Sequence, residues 1–512
     1  MPFYSLLILF SVFVASCGVR LIASAQARQA LLLFGSYLVY AQWAGRRALL
    51  VLIASSLLNY LWGAVLRKRP TTLFLWIGIA FNLALLGFFK YLVPLADQVA
   101  RASWEVDIVQ QIVVPIGISF WTFQGLSYLF DLYREEELDP TLLEFCLYMA
   151  FWPTVFLGPI CRLPRMLPQF RRRSTSPISD DISAGAVRIV QGLFMKLVLA
   201  QLLSSGLTPE GGVVAGFDGV APARSGLDVW ALAIGYGFEL FLDFAGYSNI
   251  VIGAARLLGF RLEENFDRPY LSTTPSIFWT RWHMSLSFWI RDYVFLPIAV
   301  VRRDPWWPYA ALVISMIIFG FWHGANLTYI AWGLYNGLLL VAHRLGQKMK
   351  RRMPFKLPSP LGAALSWGAT FLLISLGYIF FRANDLSQAL RLLRAVVAPR
   401  SYAFRYATLP HDYYLLVGLV VVGYFVYVGV AQLLALWRTR YRESLRDRAR
   451  SSSTQGAGAW VHLSRAVLGT ERILEEQKWW WLTPVLASLL MMTTLSVFGQ
   501  SSSIAPFIYA LF

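Results

Sequence analysis

Residues 317–332 read IIFGFWHGANLTYIAW and set one ionisable ring, His323, inside a long apolar stretch. Hydrocarbon disfavours an imidazole, so a ring placed there faces protein, a polar partner or a wet cavity rather than lipid. The apolar runs on either side, 307–322 and 326–343, lie between Arg302-Arg303 and a basic cluster from Arg344 to Lys356. Basic residues at both outer ends return the chain to one face of a bilayer and put His323 at the turn between two membrane segments. The first run holds about 16 residues, short of the roughly 20 needed to cross ~30 Å of hydrocarbon. The turn is therefore expected at depth, with an ordinary external hairpin as the alternative.

The same apolar character extends along the chain. Of 512 residues, 57% are hydrophobic and 14% charged, and the mean hydropathy is +0.55, values that exclude an ordinary soluble domain. Candidate spans fall at 3–22, 29–44, 48–66, 72–95, 109–130, 141–158, 226–257, 284–300, 307–322, 326–343, 361–381, 413–437 and 479–498. The expectation is an all-α polytopic membrane protein with about 11 to 13 membrane helices plus re-entrant or interfacial helices, because some runs are short for a crossing. No soluble domain fits between the runs, so residues 1–512 are read as a single membrane-embedded domain. The start, MPFYSLLILFSVFVASCGVRLIASAQ, has no basic leader and is followed at once by another apolar run. It is read as a retained first helix rather than a cleaved signal.

The net charge of +17 comes from basic residues at the ends of apolar runs, among them Arg46-Arg47, Arg67-Lys68-Arg69 and Arg171-Arg172-Arg173. That distribution marks loops and meets anionic headgroups, so it implies the lipid bilayer as partner and no nucleic acid. Charge alone gives no consistent topology, since the clusters at 46–47 and 67–69 flank one helix. Residues 162–190 carry prolines and a basic run; they are expected to form a cytoplasmic or re-entrant basic loop that leads into an amphipathic helix in the interface. Residues 439–475, with Ser451-Ser452-Ser453 and Gly456-Ala457-Gly458, are expected to form a flexible polar loop. Cys17, Cys146 and Cys161 have no metal-ligand spacing, which argues against disulfides and a zinc site.

Gln124, Asp131, Glu239, Asp243, Asn249, His283 and Asn336 also lie in or beside apolar runs. A helix-joining hydrogen bond explains any one of them as well as chemistry does. Clusters of polar residues in 113–134, 238–260 and 276–298, Ser248 and Ser285 among them, describe a bundle with a polar and aromatic centre. His283 and His323 admit three readings there. As metal ligands they lack companions to complete a shell; they could be satisfied core histidines; or one could be a general base, since a neutral imidazole in a dry aromatic cavity accepts a hydroxyl proton. His343, His411 and His462 lie near loops or interfaces and need no special role.

Six blocks then follow in order: PIGISFWTFQGLSYLFDLYR, FWPTVFLGPICRLPRMLPQF, LFLDFAGYSNIVIGAARLLGFRLEENFDRPYLSTTPSIFWTRWHMSLSFWIRDYVFLPI, FGFWHGANLTYIAWGLYNG, FFRANDLSQAL and PFIYALF. Together they resemble the membrane-bound O-acyltransferase family, and within it the bacterial alginate O-acetyltransferase branch, from about residue 30 to the C-terminus. Cys161 in GPICR and the ending PFIYALF depart mildly from the family pattern. The resemblance implies a helical rosette around a transmembrane tunnel in a bacterial inner (plasma) membrane, with the acyl donor entering from the cytoplasm and the acceptor outside. It matches His323 and His283 to the family's two functional histidines.

The implied activity moves an acyl group, acetyl first, from a cytoplasmic donor to a hydroxyl for exopolysaccharide O-acetylation. His323 would take the hydroxyl proton during attack on a thioester carbonyl, and His283 would orient donor or oxyanion. Gln124, Arg162, Arg281 and Asn336 are the substrate-binding candidates. With no nucleophile elbow and no embedded cysteine beside a base, direct transfer is favoured over an acyl-enzyme. The basic segment from Arg162 to Arg173 suits a phosphate-bearing donor, acetyl-CoA or an acyl carrier protein; no bound cofactor is expected. The resemblance also implies a periplasmic acetyl relay or acetyltransferase protein and a polysaccharide as partners. A teichoic-acid-type D-alanyl transferase and a non-enzymatic transporter or scaffold are the alternatives, and the strong C-terminal FFRANDLSQAL and PFIYALF blocks favour the acetylating branch.

Overall fold

Helix starts in this chain carry their own signals. Thr71 accepts from the Phe74 amide, while Thr141 with Glu144 and Ser225 with Asp228 form reciprocal capping boxes, each satisfying amides that a helix cannot satisfy itself. The computed structural model describes residues 18–19, 22, 24–95, 114–134, 137–172, 178–206, 212–218, 225–350, 359–402 and 407–451. The expected first and last spans, 3–22 and 479–498, and His462 lie essentially outside the described residues. No strand occurs among those described.

The main helices are α1 (Ala25–Ala44), α2 (Arg46–Lys68), α3 (Thr72–Gly87, prolonged by a π turn, Phe88–Leu92), α4 (Ile118–Tyr133), α5 (Leu142–Ala150), α6 (Leu163–Arg171) and α7 (Ile178–Phe194, prolonged to Ser205). They continue with α8 (Gly226–Leu257), α9 (Met284–Ile290), α10 (Trp307–His323), α11 (Leu327–Lys350), α12 (Ser359–Arg382), α13 (Leu386–Val397) and α14 (His411–Ser451). Among the described residues, six stretches are long and apolar enough to cross a membrane: Arg46–Lys68, Thr72–Leu95, Ser179–Ser205, Gly226–Leu257, Pro360–Arg382 and His411–Leu433. They present exposed large apolar side chains such as Leu50, Leu61, Leu73 and Trp76, a surface that water does not tolerate over such an extent. The chain is a multi-pass, all-α membrane protein.

Helices occupy the described parts of the two long polar segments. The described residues within 162–190 include α6 and the start of α7, the stretch expected to form an amphipathic helix, and polar side chains of α7 meet α8. Its charges are matched across the helix pair: Asp181 with Arg256 at 2.7 Å, and Lys196 with Asp243. Between these pairs Gly192 faces Gly246 so closely that a Cβ on Gly192 would stand 2.4 Å from the Gly246 carbonyl oxygen. Small residues at such crossings let backbones approach within the membrane. Residues 439–451 continue α14, while 452–475 lie outside the described residues.

α10 and α11 form a tight hairpin. A Cβ on Gly320 would stand 2.2 Å from the Tyr329 carbonyl oxygen, so only glycine permits this approach. α10 has 17 residues, about 25 Å at 1.5 Å per residue, and its last residue is His323. The buried apolar side chains fall into two clusters. One gathers α1 to α6 with α9 to α11, and the other gathers α8, α12, α13 and α14.

Candidate active site

A cavity lies on the seam between the two clusters. Phe120, Phe319, Trp322 and Trp332 come from the first and Phe278, Trp282, Ile374 and Tyr378 from the second, and His283, His323 and Asn336 reach the same space. Its volume is about 50 Å³.

His323 closes α10 and is half-buried. Its ring is enclosed by Trp322, Phe381, Phe319 and Trp332, with ring centres at 4.6, 4.8, 5.1 and 5.3 Å. Neither ring nitrogen has a hydrogen-bond partner among the described residues. The end of α10 is held from outside by the π turn of α3, where the Tyr91 hydroxyl donates to the Phe321 carbonyl at 2.8 Å. Tyr91 also stacks on Phe321 at 4.9 Å.

His283 is buried and immediately precedes α9 in the left-handed region, with φ of 41°, a conformation that a residue with a Cβ adopts only when its surroundings enforce it. Asn265 enforces it. The Asn265 carbonyl accepts from the Met284 amide at 2.8 Å, and Oδ1 pairs with His283 Nδ1 at 2.9 Å. Oδ1 also accepts from the Ser285 hydroxyl at 2.9 Å and from the Ser285 amide at 3.4 Å. An amide can only donate, so the group facing it is the oxygen and not the nitrogen of Asn265. Nδ2 is then free to donate to Ser248 Oγ, as it does at 3.2 Å. A neutral His283 therefore carries its proton on Nδ1 and presents Nε2 as an acceptor. That limits the expected role of orienting an oxyanion, which needs a donor.

Of the expected substrate-binding residues, the structure brings only Asn336 to the cavity, on α11, with its amide donating to the Trp332 carbonyl at 2.9 Å. Gln124 is buried on α4 and donates to the Tyr148 carbonyl at 3.4 Å. Arg281 is half-buried outside the cavity lining, next to Trp282. Arg162 pairs with Asp292 at 2.7 Å and lies over the Tyr293 ring at 5.0 Å. Burial pulls its pKa down, but Tyr293 and Asp292 outweigh burial and the net shift is upward. Arg165 is matched by Glu263, and Arg171 by Glu144 at 2.8 and 2.9 Å. Much of the basic segment is thus already engaged with carboxylates. Asp131 likewise accepts from the Tyr293 hydroxyl at 2.7 Å and joins helices.

Ser248 and Ser285 belong to the polar clusters read in 238–260 and 276–298, but Asn265 was not singled out in the sequence, although it stands in a block that resembles the family. A polar residue inside ENFDRPY has no local signature of its contact with a histidine 18 positions on.

Comparison with known proteins places these blocks in a wider setting. The model of the MBOAT, membrane-bound O-acyltransferase family matches residues 59–382. A model of a family of unknown function matches 472–512. The chain is 30% identical to a probable alginate O-acetylase AlgI of Pseudomonas aeruginosa, over 99% of both chains. It is 30% identical to a peptidoglycan O-acetyltransferase of Helicobacter pylori, over 72% of this chain and 73% of the relative. A teichoic acid D-alanyltransferase of Streptococcus thermophilus is 32% identical over 51% of this chain and 64% of its own.

Proposed function

The chain belongs to the membrane-bound O-acyltransferase family and is an acyltransferase, and from that premise we propose that it O-acetylates a polysaccharide across a bacterial inner membrane. The donor is an acetyl thioester presented from the cytoplasm, acetyl-CoA or an acyl carrier protein, and the acceptor is a hydroxyl on the outer side, on the polysaccharide or on a periplasmic relay protein. The observation that carries this reading is His323, a histidine on the cavity wall whose ring has no hydrogen bond among the described residues, facing the same space as His283.

In this mechanism the acceptor hydroxyl gives its proton to His323 while its oxygen attacks the thioester carbonyl. The acceptor nitrogen of His283, held by Asn265, receives a hydrogen bond from a hydroxyl of the acceptor and aligns it. A cavity of about 50 Å³ holds only a few water-sized groups at ~10–15 Å³ each, which suits a two-carbon acyl group and not a fatty chain. The acetyl-transferring relatives, which align over more of the chain than the D-alanyl relative does, support the same acyl choice.

The test is His323→Gln. Glutamine keeps size and hydrogen bonding but cannot take the proton, so transfer from labelled acetyl thioester to a hydroxyl acceptor should fall by about 10²–10⁴-fold, with expression and melting temperature retained. Near-normal turnover would remove the general-base role from His323. A panel of acetyl and D-alanyl thioesters, assayed on the unaltered protein, reads the acyl group directly.

A further inference from the structure

Attack on a thioester moves negative charge onto the carbonyl oxygen, and that charge is stabilised by donors already aimed at it. This inference rests on the acyl-transfer reading above. Neither histidine supplies such a donor at that moment, since His323 is accepting a proton and His283 offers only an acceptor nitrogen. The residues lining the cavity include no lysine or arginine.

They do include tryptophans whose N–H groups are unspent. The indole nitrogens of Trp279 and Trp322 are buried and have no hydrogen-bond partner among the described residues. Away from this cavity the pattern is mixed, since the buried Trp121 nitrogen also lacks a partner among the described residues, but most such tryptophans pair. Trp62, Trp289, Trp307 and Trp367 each donate to a backbone carbonyl at 2.8 to 3.1 Å. A buried N–H left unpaired in the free protein is destabilising and calls for an explanation. Trp322 lies directly against the His323 ring. Trp279 is one ring further, touching both Phe319 and Trp332 at 5.6 and 5.7 Å, which in turn touch His323.

We propose that the indole N–H groups of Trp279 and Trp322 are the donors that hold the acyl carbonyl oxygen during transfer. The acceptor oxygen forms a bond to the carbonyl carbon, its proton passes to His323, and the carbonyl π pair moves onto the oxygen between the two N–H groups. The pair then returns, the C–S bond breaks, and the departing thiolate takes the proton from His323 to leave as a thiol. Lys90 is a positioning residue in this arrangement. Its Nζ stands 4.6 Å from the centre of the Trp322 ring, and when protonated there it polarises the indole and strengthens its N–H as a donor.

The test replaces each tryptophan with benzothienylalanine, which keeps the bicyclic shape and substitutes sulfur for N–H, in the full-length protein. The expected result at either position is a fall in kcat on the order of 10²-fold or more, with KM for acetyl thioester and melting temperature retained. Trp279→Phe and Trp322→Phe should show the same loss, and the sulfur isostere at lipid-exposed Trp76 should show none. Lys90→Met should lower kcat less than loss of the Trp322 N–H does, with KM retained. Sulfur variants within about threefold of wild-type kcat would overturn the assignment while leaving acyl transfer intact. Wild-type protein that moves no acetyl group would instead overturn the acyl-transfer reading on which the assignment rests.

Discussion

At the scale of single residues, His283 is only as well placed as Asn265 makes it. Asn265→Ala leaves the His283 ring, the Ser285 hydroxyl and its amide without their shared acceptor, each a buried group whose loss of pairing costs about 1–3 kcal/mol. The expected outcome is a lower melting temperature and turnover reduced by about 10–100-fold, an effect typical of a lost outer-shell partner, measured by thermal shift and acetyl transfer on the same preparation. Ser248→Ala, which removes only the anchor of Asn265 Nδ2, should reproduce the direction at smaller size. The two histidines were legible in the sequence because an ionisable ring in an apolar run violates solvation, and the violation is visible locally. Asn265 was not, because asparagine in a polar stretch violates nothing until folding brings Ser248, His283 and Ser285 around it. Gln124 shows the converse: a polar residue in an apolar run whose amide donates to the Tyr148 carbonyl, a contact between helices.

At the scale of elements, α7 and α8 behave as one unit. Gly192→Leu places side-chain atoms where a Cβ alone would be 2.4 Å from the Gly246 carbonyl oxygen, so the helices must separate and the variant should fail to accumulate as folded protein. Gly418→Ala on α14, where a Cβ meets nothing within 4 Å, should instead leave activity intact and stabilise by about 0.5–1 kcal/mol through helix propensity. Lys196→Met strands the Asp243 carboxylate and should lower the melting temperature, while Lys196→Met with Asp243→Leu should recover most of the loss. A coupling energy near zero in that double-mutant cycle would show that the pair does not hold the helices together. These contacts were not visible in the sequence of 162–190. The charges of α7 read as a solvated face because their partners, Arg256 and Asp243, lie far along the chain. Hydropathy counts a charge but not the charge that neutralises it.

At the scale of the whole molecule, the excess positive charge is less available than the count of +17 suggests. Arg162, Arg165 and Arg171 each face a carboxylate, and Glu144 draws the Arg171 pKa upward through their hydrogen bonds. Arg171→Gln should therefore show chiefly as lower stability, because Glu144 is left buried without its cation. A rise in KM for the donor that deepens with salt, without loss of stability, would instead assign Arg171 to donor capture. The all-α, multi-pass architecture was legible from composition and run length alone. The meeting of two apolar clusters at the candidate cavity was not, since it joins α4, α10 and α11 to α8 and α12 across the full chain. For pharmacology that seam is a lever. A small compound sized to the cavity and bound across it would block the proposed acetyl transfer, and at one hundred times its dissociation constant such a ligand adds about 2.7 kcal/mol to the folded state. A screen for inhibitors could then be run as a screen for compounds that make the protein harder to melt.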